Sequence, residues 1–576
     1  MLISWQRPLR GEGAIQHRSG QLRAGKTSLL CCAALFWAKA GLSGQAGLEL
    51  GPSLDFQHLS GSPEKRYILE TMGSGVALFD YDRDGDLDIY LVNASTLDRL
   101  AEGTPGEPNR LFRNEGGSQY VDVTEAAGVG DRGFGQGVAA ADFDNDGDVD
   151  IYVTNYGPNA LYRNNGDGTF SLMSGGVEDE RWSTGAAFGD IDGDGFLDLY
   201  VCSYLEFDRE LLDKLIPRQF CIWKGLTVNC GPRGFDFQSG VLYRNRGDGT
   251  FQDWTDEAGV ARRDTYQLGV VFSDLDLDGD QDLYLATDST MNVLFENLGA
   301  GRFRDVSLVS GAALSGLGSE QAGMGVDAGD VNGDGRVDLF VTNFADDYNT
   351  LYLNLGELRF VDSTDVAGLA VASLSYLGWS ISLADLDADG DLDIFLVNGH
   401  VYPQVDGSDV GESFRQPMQV FFNRGDGTFE DGSSRFDAEL RAPQPARGAA
   451  LGDLDGDLFQ DAVVQIMDGT PLLIMNRLAS SARVAVLELV GREANRDGVG
   501  AVVWARVGES TMVREVRGDR GYLSHGDFRL YLGLGSAEGI DELTIQWPGG
   551  ERETLLGVRP GSYTVVQGVG IVAKKD

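Results

Sequence analysis

Basic residues are scarce: 46 Lys and Arg stand against 89 Asp and Glu, a formal net charge of −43. A polyanion of this size is repelled by phosphate backbones and anionic lipid, so nucleic acid and charged membrane surfaces are excluded as natural partners. Histidine is scarcer still. The four present (His17, His58, His400 and His525) are too scattered for an imidazole-rich zinc site. No stretch beyond the N-terminal region reaches the ~18 apolar residues a membrane helix requires, so no transmembrane segment is expected in the mature chain. A G-x-S-x-G elbow, a phosphate loop and a zinc motif are all missing, which leaves no ready-made catalytic apparatus. Glycine, by contrast, supplies 80 of 576 residues, and a hydrophobic fraction of 42% suffices for a sizeable core. The length implies more than one domain, or one large repetitive domain plus something smaller.

The N-terminus reads as an export signal. Arg7, Arg10, Arg18, Arg23 and Lys26 precede the apolar run 29–37 and then Ala38-Lys39-Ala40. Basic, apolar, then small-x-small is the order of a secretory signal peptide, assigned to residues 1–40, and the run is too short to span a bilayer. Leu30 stands where a lipoprotein signal needs a small residue, which argues against an anchor at Cys31. The expected location is therefore secreted, extracellular or periplasmic. Cys221 and Cys230 lie close together in a loop-like stretch and are expected to pair in an oxidising compartment. Cys202 sits in the strand-like Leu199-Tyr200-Val201-Cys202, and the sequence leaves its pairing with either of the other two open.

One acidic pattern recurs seven times at roughly 62-residue spacing, the signature of a repeat architecture. D-x-[DN]-x-D-G-x-x-D begins at Asp80, Asp142, Asp190, Asp274, Asp330 and Asp385, with a seventh copy at Asp453 that carries Leu458 in place of glycine. Side chains at positions 1, 3 and 5 converge, glycine at 6 permits the tight turn, and the acid at 9 closes the cage. An oxygen-only set of this kind suits Ca²⁺. The expected ligands are Asp80, Asp82, Asp84 and Asp88; Asp142, Asp144, Asp146 and Asp150; and Asp190, Asp192, Asp194 and Asp198. The next units supply Asp274, Asp276, Asp278 and Asp282; Asp330, Asn332, Asp334 and Asp338; Asp385, Asp387, Asp389 and Asp393; and Asp453, Asp455, Asp457 and Asp461. About six to seven Ca²⁺ ions are implied. An EF-hand needs an acid at position 12 and flanking helices. Here that position is Leu91, Val153, Val201, Leu285, Val341, Leu396 or Val464, and the residues after each loop are β-branched and aromatic. The cation therefore sits in a β-hairpin connection.

Each unit repeats beyond its loop. A Gly-led apolar strand precedes it, as in Gly75–Phe79 and Gly137–Ala141, and a Leu-aromatic-x-Asn strand follows, as in Leu111–Asn114 and Leu161–Asn164. A Gly-Asp-Gly-Thr-Phe turn and a short outer strand complete the unit. Four strands repeated seven times describe an all-β fold, a seven-bladed β-propeller over residues 54–480 after a linker at 41–53. The seventh unit lacks an outer strand, and Leu54–His58 is expected to supply it and close the ring. From about residue 481 to 570 the acidic loops give way to short β-like runs that suggest a small β-sandwich.

At these loops the chain resembles the integrin-like FG-GAP (VCBS) repeats, whose Ca²⁺ loops join the first two strands of a blade. Asn495–Ala501, Gly521-Tyr522-Leu523-Ser524, Gly533-Leu534-Gly535 and Trp547–Gly550 look like the ASPIC/UnbV domain, with Leu532 where that domain often has Phe. The two together resemble the cartilage acidic protein family, and Asn398–Pro403 looks like that family too. The resemblance implies an exported, calcium-stabilised binding or adhesion module with an unidentified extracellular protein or glycan as partner.

Three RGD triplets, at Arg246, Arg424 and Arg517, invite an integrin-ligand reading, but the first two are the repeat's own turn. The face opposite the metal loops carries the long connections Asn93–Asn109, Ser203–Ser239 and Asn398–Met418, where binding sites tend to sit. His400 stands out there. An extracellular enzyme acting on carbohydrate, with its site on this face, is the alternative to a binding module.

Overall fold

The computed structural model describes residues 47–117, 119–208, 221–478 and 482–575. The signal region 1–40, with Cys31 and Cys32, lies outside them, as do residues 41–46 of the 41–53 linker. Among the described residues the chain is all-β with a few single-turn helices, and no helix is long and apolar enough to cross a membrane.

Seven four-stranded antiparallel sheets follow one another along the chain. In the first, Val76–Phe79, Asp88–Leu91, Arg110–Asn114 and Tyr120–Asp122 pair in sequence order. Burial explains their composition. The first two strands are buried along their whole length and read as unbroken apolar runs, whereas the fourth is largely exposed. The first strands of consecutive sheets lie against one another, and that of the seventh (Ala446–Gly452) lies against that of the first. The Gly that leads these strands is required by that crowding. A Cβ on Gly269 would stand 2.3 Å from the Met324 carbonyl oxygen, and one on Gly448 2.3 Å from that of Ser74.

The seventh sheet is completed from the N-terminal side, but not by the expected segment. Leu48–Leu50 pairs antiparallel with Leu472–Asn476, so the edge strand falls inside the expected linker. Leu54 and Phe56 instead bury their side chains in the core shared by the first and seventh sheets, without ladder pairing.

Residues 482–575 form two further four-stranded sheets, including Arg552–Val558 and Gly570–Lys575, which were absent from the sequence reading. Leu487, Val503, Leu532, Ile545 and Trp547 from both sheets share one core.

Candidate metal loops and the faces they divide

Every acidic loop joins the first strand of a sheet to the second, and position 9 is the first residue of that second strand, as at Asp88, Asp150 and Asp282. The loops are held by their own backbone. The position 1 carboxylate accepts the position 5 and 6 N–H groups, at 3.1 and 2.8 Å on Asp80 and at 3.1 and 2.6 Å on Asp142. The position 5 carboxylate takes the position 7 N–H, at 3.0 Å on Asp146 and Asp278. Position 6 is left-handed throughout, with φ of 97° at Gly85 and 108° at Gly390. Leu458 adopts φ 72° in the seventh loop, the strained conformation its sequence anticipated.

Acid oxygens are left over. Position 3 accepts the position 5 N–H in the second, fourth and fifth loops, at 3.1 to 3.3 Å, but the buried Oδ1 atoms of Asp82, Asp192, Asp387 and Asp455, with that of Asp385, have no hydrogen-bond donor. Asp80, Asp82 and Asp88 bring oxygens within 4.8 Å of one another, as do Asp142, Asp144 and Asp146; Asp190, Asp192 and Asp194; Asp274, Asp276 and Asp278; and Asp385, Asp387 and Asp393. Several loops could therefore hold a metal ion, and hard oxygen donors of this kind fit Ca²⁺. In the fifth loop Asn332 donates to Asp334 at 3.1 Å, and in the seventh Arg477 pairs with Asp455 and Asp457. Without a cation, crowded burial works against ionisation. Desolvation pushes Asp88 up to about 8, Asp150 to about 9 and Asp338 to about 8.

Position 9 does a second job. Its carboxylate accepts the N–H of the residue after position 1 and, through Oδ1, the N–H of the Asn that ends the third strand, as Asp88 does from Tyr81 at 3.0 Å and Asn114 at 2.8 Å. That Asn then reaches the loop of the preceding sheet. Asn164 Nδ2 donates to the Tyr81 carbonyl at 2.9 Å, Asn245 to Phe143 at 2.8 Å, Asn297 to Ile191 at 3.0 Å and Asn354 to Leu275 at 2.7 Å. Asn423 donates to Val331 at 2.7 Å, Asn476 to Leu386 at 2.8 Å, and Asn114 of the first sheet to Leu454 of the seventh at 3.0 Å. The repeated Leu-aromatic-x-Asn motif thus links each loop to its neighbour.

The C-terminal unit rests on these loops, a placement the sequence did not suggest. Asp497 accepts the Asp142 N–H at 2.7 Å, the Asp453 N–H donates to Tyr531 Oη at 3.1 Å, and Gly533 N–H donates to Asp385 Oδ2 at 3.0 Å. Residues 517–527 go further and enter between the first strands. Leu78 N–H donates to the His525 carbonyl at 3.0 Å, Val138 N–H to Leu523 at 3.1 Å, and Val326 and Gly521 exchange hydrogen bonds at 3.0 and 2.9 Å. Tyr522 is buried with its ring 4.7 Å from that of Trp379, and its hydroxyl donates to the Met72 carbonyl. The third RGD lies in this insert: Arg517 pairs with Asp327 and Glu515, and Asp519 accepts the Phe272 N–H at 3.0 Å. Only the first two triplets are exposed turns, capped by Thr250 and Thr428.

On the opposite face the Cys221–Cys230 disulfide closes a hairpin, and Cys202 is free and buried. Trp223 stacks at 5.0 Å on His400 and 5.6 Å on Tyr402, and Lys224 pairs with Glu412 and Asp346. His400 itself is fully buried. Its Nδ1 accepts the Tyr402 N–H at 3.0 Å and its Nε2 faces Glu412 at 2.9 Å, so it braces the loop. Residues 209–220 of the 203–239 connection lie outside the described residues.

Comparison with known proteins agrees with these motifs. FG-GAP-like repeat models match residues 80–153, 142–201, 274–341 and 330–396, and the ASPIC and UnbV model matches residues 491–570. Cartilage acidic protein 1 of Mus musculus is 24% identical over 497 residues, covering 83% of this chain but 61% of the mouse protein. The Xenopus tropicalis protein of that name is likewise 24% identical, over 498 residues, 83% of this chain and 70% of its own. Among solved structures, an Agrocybe aegerita lectin described as recognising non-reducing terminal N-acetylglucosamine is similar at TM-score 0.40 and 17% identity, over 69% of this chain and 87% of the lectin. A likeness at that level says nothing about ligand. The chain belongs to the proteins that join FG-GAP-like repeats to an ASPIC/UnbV domain.

Proposed function

We propose that the chain is an exported, calcium-stabilised binding or adhesion module: a closed seven-bladed propeller over roughly residues 48–478 with a β-sandwich docked on its metal face. Ca²⁺ binds the carboxylates at positions 1, 3, 5 and 9 of the loops and supplies the positive charge that lets them stay ionised while buried. The Asn links hold the loops in register, the ion holds each loop in shape, and the C-terminal unit reads that shape through Asp142, Asp385 and Asp453.

One observation carries the assignment of faces. The metal face is covered by residues 482–575, whereas the opposite face is built from long connections that contact one another, the sheet ends and the segment ahead of the first sheet, as Gln404 does Glu64 and Asn229 does Lys65. Partners therefore dock on the connection face, and the metal face is structural. No observation favours the enzyme alternative, because His400 is enclosed and already engaged on both nitrogens.

The test is a glycan array together with an extracellular-protein array. Each is probed with the parent chain and with a variant whose hairpin 221–230 is replaced by a short Gly-Ser turn. The reading expects loss of binding in the variant with chelator-sensitive melting retained. Binding that survives the replacement, or that maps to the C-terminal unit, contradicts it.

A further inference from the structure

The first-strand cycle is plugged from the metal side by residues 517–527, but a cavity of about 260 Å³ remains beneath the connection face. Its walls are Trp223 from the disulfide hairpin, Phe344 and Trp379 from the fifth and sixth repeats, Tyr402, and the thioether side chains of Met72 and Met324. Two carboxylates line it, Asp288 and Asp347, and among the described residues no Lys, Arg or His does. Asp288 ends the second strand Asp282–Asp288, whose first residue belongs to a metal loop, so topology places it on the face away from the ions.

The charges of these two acids are only partly answered by the chain, through Arg233 acting at a distance. Asp288 is hydrogen-bonded by the neutral hydroxyls of Tyr204 and Ser289, and among the described residues neither Asp288 nor Asp347 forms an ion pair. The nearby cations are committed elsewhere. Arg233 lies near Glu320 and donates to the Ser289 carbonyl. Lys224 is held by Glu412 and Asp346. Arg447 lies over Trp379 with its guanidinium on the carbonyls of Thr71, Gly399, Ala446 and His400, and it does not line the cavity.

We propose that this cavity is a binding site for a small organic ammonium ion. A cation carrying apolar substituents matches every wall: aromatic faces attract it through their quadrupoles, the carboxylates balance its charge, and its alkyl groups fill the apolar remainder. A neutral sugar would leave the two charges unbalanced, and an anion would be repelled. Desolvation raises both carboxyls above their usual range, outweighing the Arg233 charge and the hydrogen bonds that pull them down. The Cys221–Cys230 clasp, which sets Trp223 against His400 and Tyr402, fixes one wall in advance, so little ordering is needed on binding. The inference rests on the reading of this face as the binding face and deepens it by naming a ligand class.

The full chain in Ca²⁺ is titrated by calorimetry and tryptophan fluorescence with choline, with its neutral isostere 3,3-dimethylbutan-1-ol, and with N-acetylglucosamine. Saturable binding of choline alone, weakened at least tenfold in Asp288→Asn and in Trp223→Ala, is expected. Asp347→Asn serves in place of Asp288→Asn if the latter melts early. Equal binding of the isostere, binding of the sugar instead, or no choline binding overturns the proposal. Chelator-dependent melting and the array result for the hairpin variant are unaffected by that failure, so the two readings fall separately.

Discussion

Two residues per repeat carry most of the specification. The Asn that ends each third strand satisfies carbonyls on two sheets: Asn297 donates to Ile191 in the neighbouring loop and to Gln281 in its own, both at 3.0 Å. Removing it takes this donor from the buried Gln281 carbonyl, at about 1–3 kcal/mol, while the Ile191 carbonyl keeps the Gly301 N–H at 3.1 Å. Asn297→Ala is therefore expected to lower unfolding free energy by about 1–3 kcal/mol in a urea titration, and an unchanged midpoint would contradict the link. The second residue is position 6 of each acidic loop. Leu458 occupies the left-handed region that the other six loops give to glycine, a conformation costing roughly 1–2 kcal/mol for a side-chain-bearing residue. Leu458→Gly should raise the melting temperature measurably, the reverse of the usual effect of introducing glycine. Histidines set a third dependence. Burial holds His58 and His525 down at about 3, despite the opposing pull of Asp468 on one and Asp527 on the other. A free imidazole titrates near 6.5. The unfolded chain thus takes up protons that the folded chain refuses as pH falls from about 6.5 towards 3, and stability is lost across that window. A His58→Gln/His525→Gln double variant should show a shallower decline of melting temperature with acid than the parent in the same calcium buffer.

At the scale of elements, the insert 517–527 is the least expected piece. Its hydrogen bonds reach the first strands of sheets far earlier in the chain, as those of Tyr522 to Ser380 and of Arg517 to Asp327, 142 and 190 residues apart, and the one His525 accepts from Leu78 do. The motif Gly521-Tyr522-Leu523-Ser524 was visible, yet its role was not, because a loop that plugs another element carries no periodicity of its own. The same holds for the Asn of Leu-aromatic-x-Asn, which also reaches an acceptor in another repeat. The acidic loops were legible because the hydrogen bonds that shape them, from positions 5 and 6 to position 1 and from position 7 to position 5, close within nine residues, so local spacing encodes that shape. Leu48–Leu50 was missed in favour of Leu54–His58 since three alternating residues are too short a pattern to outrank five. Arg552–Val558 was missed because most of its side chains are exposed or half-exposed and the run holds no aromatic residue. Docking of the C-terminal unit on Asp142, Asp385 and Asp453 links it to the metal loops. Limited proteolysis should therefore cut the 476–483 connection and the 517–527 insert faster in chelator than in Ca²⁺; equal cleavage rates would detach the unit from the ions.

For the whole molecule, the charge of −43 acquires a location. Thirty-one of the 89 acids fall within the seven nine-residue loops, so a third of the negative charge lies on the metal face, much of it buried beneath the C-terminal unit. On the proposed reading cations accompany this density, since buried like charges repel and lose solvation together. Each site that binds only the folded chain, at 100-fold excess over its dissociation constant, contributes about 2.7 kcal/mol, and several sites add. The most direct measurement is therefore the melting temperature of the full chain in millimolar Ca²⁺ against the same buffer with excess EGTA. The account predicts a large downward shift in chelator that Ca²⁺ fully restores and Mg²⁺ does not. Coincident melting curves in the two buffers would contradict it.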